Sequence, residues 1–286
     1  MFYLYLLTPG LTYNSESYAP GQDSMKSVHG NDLAFTVNYL SHFLLTTKLL
    51  SNLSSSRHRG RIVHVTSTYH WKVDGFEILP QQDGSVLAYE SDPTKQSAKH
   101  IERSYANTKL AQIWHSRSIQ KFNKQNLSQS KVSSSLPGCS SVCACPTWAA
   151  TGIAGEESRS FLEKIAFPVA NRGPGVTSVV NAMLRTDKEL ISATALDDGH
   201  CFIGNSRTMD YLRNIGIEYW MTSRLISQQL GWRDNICDFC GLLLLLGQRF
   251  TYDEFIVQET SPESYNDINK RDELYHWSYN EVEKWL

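Results

Sequence analysis

Residues 105–109 read Tyr-Ala-Asn-Thr-Lys, and this short stretch decides how the rest of the chain is interpreted. Side chains four residues apart lie on the same face of a helix, so Tyr105 and Lys109 are neighbours when the segment is helical. A lysine ammonium beside a phenol favours the phenolate, which brings proton exchange closer to neutral pH than the free pKa of about 10 allows. The pair is a candidate for proton transfer to a substrate, with an ordinary surface pair as the alternative.

Apolar patterns upstream of this stretch predict one helix and one strand. Apolar residues recur at spacings of four, three and four, as in a helix with one buried stripe: Leu33, Val37, Leu40 and Leu44. Residues 61–65 form a short β-branched run typical of a buried parallel strand, and Ser67 follows its end. The carboxyl ends of parallel strands open onto the ligand crevice of an α/β sheet. Ser67 is therefore a second candidate site residue, with capping of the strand end as the alternative.

Strand and helix patterns alternate along the chain, which predicts an α/β fold with a parallel, doubly wound sheet. We predict strands at 2–7, 61–65, 141–145 and 201–204, and helices from 33, from 105, near 158–170 and at 175–186. The polar residues 72–100 predict a long loop, and residues 123–140 predict an exposed insertion. Residues 205–255 do not fit the pattern and are interpreted as a further insertion.

Five motifs follow one another along the chain. They are V-N-Y-L-S-H-F-L-L-T at 37–46, R-I-V-H-V-T-S at 61–67, Y-A-N-T-K-L at 105–110, P-T-W-A-A-T at 146–151, and a C-terminal pair, S-P-E at 261–263 with L-Y-H-W-S at 274–278. Together and in this order they resemble the short-chain dehydrogenase/reductase family, within it the branch of retinol dehydrogenases and WW-domain oxidoreductases. The resemblance covers residues 1–200 and 255–286.

The resemblance implies four catalytic residues, and the family gives each of them a role. Ser67 would hydrogen-bond the substrate oxygen, and Tyr105 would transfer a proton to or from it. Lys109 would lower the pKa of the tyrosine. Asn38 would position a water that links Lys109 to solvent, with a solvated polar position in the helix as its alternative. Positioned acid–base groups of this kind contribute about 10²–10⁴-fold to rate.

The same resemblance implies a nicotinamide cofactor that supplies the hydride chemistry. Tyr105 and Lys109 would hold the nicotinamide ribose, while Pro146 and Thr151 would contact the carboxamide end. Thr147 stands where the family has a glycine, and a β-branched residue there restricts the backbone beside the nicotinamide. The branch favours NADP over NAD, although the residues that select between them would follow a second strand.

One part of the family pattern has no counterpart in this sequence. The glycine-rich T-G-x-x-x-G-x-G turn, which places a helix N-terminus against the pyrophosphate, does not occur. The family's N-N-A-G is represented by L-T-P-G at 7–10. We therefore expect a Rossmann-like, doubly wound parallel sheet that lacks its first βαβ units, from a truncated gene product or splice form. Residues 1–286 would form a single incomplete dinucleotide-binding domain, whose open sheet edge predicts a homo-oligomer or aggregation.

Composition limits the partners. The 286 residues carry a net charge of −2, which favours neither nucleic acid nor an anionic membrane. Six cysteines do not make a disulfide scaffold, and the C-x-x-C at 237–240 has no second pair at zinc spacing. The leucine run at 241–247 is shorter than the ~18 residues of a spanning helix. Burial of that run is favoured, with peripheral membrane contact as the alternative, and we expect the cytoplasm or the cytosolic face of a membrane.

Two functions of different class follow. The first is an NAD(P)-dependent oxidoreductase that interconverts a small hydrophobic alcohol and its carbonyl compound. The second is a catalytically silent relative that acts as a binding or scaffold protein, as the changes at 7–10 and at Thr147 suggest. A serine hydrolase built on Ser67 is disfavoured because the sequence has no G-x-S-x-G elbow.

Overall fold

The computed structural model describes residues 4–7, 27, 30–55, 60–80, 98–129, 139–145, 179–180, 182–184, 201–203, 256–258 and 260–286. Five strands lie in these ranges: β1 (Leu4–Leu7), β2 (Arg61–Val65), β3 (Ser140–Cys145), β4 (Cys201–Ile203) and β5 (Ile256–Gln258). The helices are α1 (Leu33–Phe35), which runs through a π-helical turn (Thr36–Leu40) into α2 (Ser41–Ser55), then α3 (Ala98–Gln129), α4 (Pro262–Asn266) and α5 (Ile268–Glu283). Two 3₁₀ turns follow β2, at Thr68–Lys72 and Phe76–Ile78.

The strands form one sheet in the order β1-β2-β3-β4-β5. The first four are parallel, with Leu4 opposite Arg61 and Arg61 opposite Ser140. The predicted parallel α/β sheet is thus confirmed for these strands, whereas the absence of the first βαβ units stays a prediction. The strand predicted at residues 201–204 is observed as β4, but it is not the last strand, because β5 follows it and pairs with it in the antiparallel direction. Mixed sheets of this kind, parallel with an antiparallel edge strand, are common among doubly wound folds.

Helices cover both faces of the sheet. Because side chains alternate along a strand, Val63 and Val65 point to one face, where they pack near the helical residues Val179 and Ala182. Ile62 points to the opposite face and packs between α2 and α3, against Leu53 and Ile119. Each fully buried aliphatic side chain of this kind contributes about 1.5–3 kcal/mol. The sheet is therefore doubly wound, as the sequence predicts.

A second, larger core joins the helices that carry the candidate site residues. Its members are large apolar side chains from α1, the π-helical turn, α2, α3 and α5: Phe35, Tyr39, Phe43, Leu110, Trp114 and Leu274. The C-terminal helices are also tied to this core by hydrogen bonds. The Tyr39 hydroxyl is 2.9 Å from Ser278 Oγ, and Trp114 Nε1 donates to the Glu263 carbonyl oxygen at 3.2 Å. The C-terminal motif thus packs against the helices of the site.

The bounds of α3 differ from those predicted. The helix begins at Ala98, before Tyr105, and continues to Gln129, so the ends of the predicted loop 72–100 and of the predicted insertion 123–140 were wrong. The flanking turns of α3 are rich in lysine, glutamine, serine and asparagine and have no apolar stripe, so periodicity alone does not detect them. Residues 158–170, 205–255 and the cysteines at 237–240 lie outside the described residues.

Candidate active site

Ser67 lies just beyond the carboxyl end of β2, in extended backbone that leads into the first 3₁₀ turn. Its Oγ accepts a hydrogen bond from the Tyr69 backbone N–H at 3.3 Å. The His70 ring forms a hydrogen bond with the Ser67 backbone carbonyl oxygen. The His70 Nε2 accepts from the Ser261 backbone N–H at 3.2 Å, so the ring proton lies on Nδ1 and is donated to Ser67. Burial lowers the pKa of His70 to about 4, which keeps the imidazole neutral in this bridge.

Tyr105 projects from α3 toward the end of β2. Its side chain lies close enough to that of Ser67 for the serine hydroxyl to lower the pKa of the phenol. Its ring meets the Tyr69 ring edge-on with centroids 5.7 Å apart. The two residues are far apart in sequence and come together because α3 packs across β2 and the first 3₁₀ turn. The pairing of a serine and a tyrosine hydroxyl at the carboxyl end of a parallel strand gives two polar groups that can bind one substrate oxygen.

Lys109 is buried one helical turn after Tyr105. Its Nζ lies 5.3 Å from the centroid of the Tyr105 ring, and it donates to the Val65 carbonyl oxygen at 2.9 Å and to Gln112 Oε1 at 3.2 Å. Desolvation lowers the pKa of Lys109 to about 8, against the opposing influence of the nearby Cys145 thiol. The side chain is therefore a cation at pH 7 that loses its charge in the mildly alkaline range.

The expectation that the pKa of Tyr105 lies below its ordinary value is not met in this arrangement. Burial raises the pKa of Tyr105 above its ordinary value, and the hydrogen bond from Ser67 offsets this only in part. The Lys109 ammonium faces the ring and the Val65 carbonyl, so it is not close enough to the phenol oxygen to overcome the desolvation. The Tyr105 phenol is therefore protonated at pH 7 and can donate its proton to a substrate oxygen.

Asn38 lies in the π-helical turn between α1 and α2 and is fully buried. Such turns occur mostly as single interruptions of α-helices, frequently at functional sites. The Asn38 Nδ2 donates to Thr108 Oγ1 at 3.3 Å, next to Lys109 in α3. The Asn38 backbone carbonyl oxygen accepts a hydrogen bond from Gln112 Nε2 at 2.7 Å. The Gln112 side chain thus connects Asn38 to Lys109, whereas the water that Asn38 is expected to position between Lys109 and solvent stays a prediction.

Three residues that sequence reasoning missed belong to this constellation. Gln112 joins Lys109 to Asn38, and Thr108 accepts from the Asn38 amide. Cys145 ends β3, is buried, and lies close enough to influence the pKa of both Tyr105 and Lys109. A signal for Gln112 exists in its spacing, because a residue three positions after Lys109 lies on the same helical face.

The other predicted cofactor contacts, Pro146 and Thr151, lie outside the described residues. The described residues fit the nicotinamide ribose end of a dinucleotide, because the Tyr105 and Ser67 hydroxyls and a lysine ammonium meet at the carboxyl end of β2. A lysine ammonium has three protons, and two of those of Lys109 are used by Val65 and Gln112, which leaves one for a ribose hydroxyl. The sequence offers no glycine-rich turn for the pyrophosphate.

Buried histidines surround the site on the α2 side. His42, His64 and His115 have pKa values lowered by burial, so all three are neutral at pH 7, and the His115 ring stacks on Phe43 at 4.6 Å. Among the residues that the structure describes, no group of three His, Cys, Asp or Glu side chains is arranged to hold a metal. Within the same ranges, no helix combines the length and apolar character needed to span a bilayer.

Comparison with known proteins supports the short-chain dehydrogenase/reductase family. Two curated proteins of Brassica napus are similar to the chain, the short-chain dehydrogenases TIC 32 A, chloroplastic, and TIC 32 B, chloroplastic. Each is 29% identical over 116 residues, which are 39% of this chain and 33% of the relative. The chain thus spans about a third of the length of the curated relatives it matches. No family model matches the chain. This similarity supports a Rossmann-like α/β fold and an oxidoreductase family in general, which uses NAD or NADP.

Proposed function

We propose that the chain is an NAD(P)-dependent oxidoreductase that interconverts a small hydrophobic alcohol and its carbonyl compound, as in the retinol dehydrogenase branch. The observation that carries the proposal is the close approach of the Ser67 and Tyr105 side chains at the carboxyl end of β2, with the Lys109 ammonium 5.3 Å from the centroid of the tyrosine ring. Three side chains from two separate parts of the chain, α3 and the end of β2, converge there, which a surface tyrosine–lysine pair on one helix does not require.

Ser67 and Tyr105 would have different roles in proton transfer. Ser67 would orient the substrate oxygen through a hydrogen bond, and Tyr105 would donate its proton to that oxygen in the reductive direction. In the oxidative direction Tyr105 would accept the proton, which its raised pKa favours thermodynamically once the phenolate has formed. The cofactor, when bound by Tyr105, Lys109, Pro146 and Thr151, would supply or accept the hydride.

Lys109 would act through its charge. A cation near the Tyr105 ring lowers the cost of forming the phenolate, and this effect is stronger at a buried site than in water. Because the pKa of Lys109 is lowered to about 8, the cation is present at pH 7 and is lost above that value. Oxidation rates would therefore fall as Lys109 deprotonates.

The partners remain part of this proposal. The proposed partner is a hydrophobic alcohol or carbonyl substrate, and nucleic acid is not expected as a partner. NADP is preferred to NAD on branch resemblance alone. A homo-oligomer formed through the edge of β1, and contact with a membrane surface, stay predictions.

A second candidate is a catalytically silent relative that serves as a binding or scaffold protein. Two observations favour it. Lys109 uses two of its three protons on Val65 and Gln112, and Thr147 stands in place of the family's glycine. Under this hypothesis the buried constellation would be a remnant that supports packing.

Cofactor binding separates the two candidates. Purified chain is titrated with NADPH and with NADH while nicotinamide fluorescence is followed, and hydrophobic aldehydes such as retinal are then screened for turnover. Lys109→Met is compared with Lys48→Met, because Lys48 is an exposed lysine of α2. Tyr105→Phe is compared with Tyr279→Phe, which alters an exposed tyrosine of α5.

Saturable binding at micromolar cofactor, weakened by Lys109→Met and not by Lys48→Met, is the expected result. Tyr105→Phe should weaken cofactor binding only slightly, because one ribose contact is lost, and should reduce turnover by about 10²–10⁴-fold. Folded protein that binds neither cofactor up to millimolar concentration would overturn the enzyme proposal and favour the silent relative.

A further inference from the structure

The Gln112 side chain is fully enclosed between α3 and the π-helical turn, with 1% of its surface exposed. Its Oε1 accepts from the Lys109 Nζ at 3.2 Å, and its Nε2 donates to the Asn38 carbonyl oxygen at 2.7 Å. One amide group therefore connects the candidate lysine to the candidate asparagine without an intervening molecule. The contact with Lys109 spans three positions within α3, whereas the contact with Asn38 spans 74 positions and reports tertiary packing.

The chemistry of the three groups permits only one orientation of the amide. An ammonium can only donate and a backbone carbonyl can only accept, while a carboxamide has one acceptor end and one donor end. Turned around, Gln112 would place its N–H₂ against the Lys109 cation and its oxygen against the Asn38 oxygen. Both ends of the amide are therefore matched to their partners, and the bridge fixes where the ammonium sits.

Other titratable groups surround the same ammonium. Tyr105 lies on the same helix, with its ring centroid 5.3 Å from Nζ. Cys145 faces it from β3, and His42 faces it from α2. His42 also approaches Gln112, with Nδ1 3.5 Å from Nε2, and it bonds to the Asn38 carbonyl. Neither neutral His42 nor a thiol offers the ammonium an acceptor as strong as an amide oxygen, so Gln112 is its main side-chain partner.

We propose that Gln112 is a positioning residue that anchors the Lys109 ammonium to the Asn38 carbonyl, in the place where the family resemblance implies a bridging water. An amide accepts a hydrogen bond from the ammonium but does not take its proton. The bridge therefore holds the charge beside Tyr105 and closes this side of the site to proton exchange. The catalytic consequence rests on the function proposed above, whereas the anchoring itself does not depend on a bound cofactor.

The anchoring is measurable without cofactor, through the ionisation of Lys109. Protein carrying lysine labelled at ¹³Cε is titrated by NMR, and the resonance that Lys109→Met removes is assigned to Lys109. In the unaltered chain this resonance is expected to titrate near pH 8, because burial lowers the pKa of Lys109 to about 8. Exposed lysines titrate near their ordinary value of about 10.4.

Three variants test whether the Gln112 amide anchors the Lys109 ammonium. Gln112→Leu removes the acceptor for the charged form, so the pKa of Lys109 should fall further. Gln112→Glu keeps the size and places a carboxylate beside the ammonium, so the pKa should rise by about 1 to 3. Gln120→Leu is the matched control, because Gln120 lies on the same helix and bonds only toward the Ser141 carbonyl. It should leave the titration of Lys109 unchanged.

A Lys109 midpoint that is the same in Gln112→Leu and Gln112→Glu as in the unaltered chain would overturn the inference, whatever the cofactor titration shows. If Gln112→Leu does not fold, judged by far-UV circular dichroism, Gln112→Glu carries the test alone because it preserves the volume. When the chain binds cofactor and turns over, kcat should fall in Gln112→Leu with little change in KM. If the chain binds no cofactor, the NMR titration still tests the anchoring of Lys109 by Gln112.

Discussion

Replacing Gly75 with alanine should destabilise the chain through a collision with Trp114. Gly75 has a backbone φ of +77°, and a Cβ at this position would collide with Trp114 Cη2 and would lie 2.8 Å from Trp114 Cζ2, well inside contact distance. An L-residue in the left-handed region costs about 1–2 kcal/mol. Overpacking of a closely packed core costs about 1–3 kcal/mol more. The expected loss of unfolding free energy is therefore about 2–5 kcal/mol, because Trp114 is a fully buried ring that packs between α3 and α5.

Gly30 provides the matched control for this prediction. Its φ of +85° is similar, but no heavy atom lies within 4 Å of the Cβ that alanine would add. Gly30→Ala should therefore cost only the backbone term of about 1–2 kcal/mol. Urea unfolding followed by tryptophan fluorescence measures both variants. Equal losses at the two glycines would refute the argument that a Cβ at position 75 collides with Trp114.

Two further changes test the contacts that hold the helices of the site together. Tyr39→Phe removes the 2.9 Å hydrogen bond to Ser278 Oγ and should cost about 1 kcal/mol in urea unfolding; no loss would show that this bond does not tie α5 to the π-helical turn. Burial raises the pKa of Asp32 to about 7 from 3.8, so the unfolded chain ionises first and stability is lost as pH rises from about 4 to 7. Asp32→Asn should therefore be more stable than the unaltered chain by roughly 2–4 kcal/mol at pH 8, with the advantage gone at pH 4. A difference that does not change with pH would contradict this.

Several elements of the fold could be predicted because their signals are local. The β-branched run that forms β2 and the helical character from Leu33 onward follow from the sequence alone, and both are observed. The predicted buried stripe was wrong in part, because Leu33, Val37 and Leu44 are only half-buried whereas Phe35, Tyr39 and Phe43 are fully buried. The polar ends of α3 were missed because lysine, glutamine and serine support a helix without producing a stripe. The antiparallel direction of β5 was missed because it depends on the path of the chain before it, which no local pattern encodes.

The candidate site was likewise predictable only in part. Spacing alone brings Lys109 next to Tyr105 on one helical face, and a family resemblance adds Ser67 and Asn38. The direction of the Tyr105 pKa could not be predicted, because it depends on burial and on where the ammonium finds acceptors. The Val65 carbonyl that accepts from Lys109 belongs to a strand 44 residues away. Burial and long-range acceptors are tertiary facts, so the sequence supplied the residues of the site and not their electrostatics.

The stability contribution of Lys109 distinguishes a used residue from a remnant. Its pKa is lowered from 10.5 to about 8, so at pH 7 the folded chain holds a charge that the unfolded chain carries at lower cost. Between pH 8 and 10.5 the folded chain binds fewer protons than the unfolded one, so stability should rise with pH in this window, by about 3 kcal/mol at most.

Lys109→Met lacks this titration, so the difference in unfolding free energy between the two proteins should grow in favour of the unaltered chain from pH 8 to 10.5. Subtracting the variant cancels the other groups that ionise in this range. A difference that is flat across the window would refute the buried, destabilising charge. If the difference follows the predicted course, Lys109 reduces stability at neutral pH. A side chain that lowers stability in this way is consistent with a charge that has a use, so the oxidoreductase proposal requires this result although the result alone does not establish it.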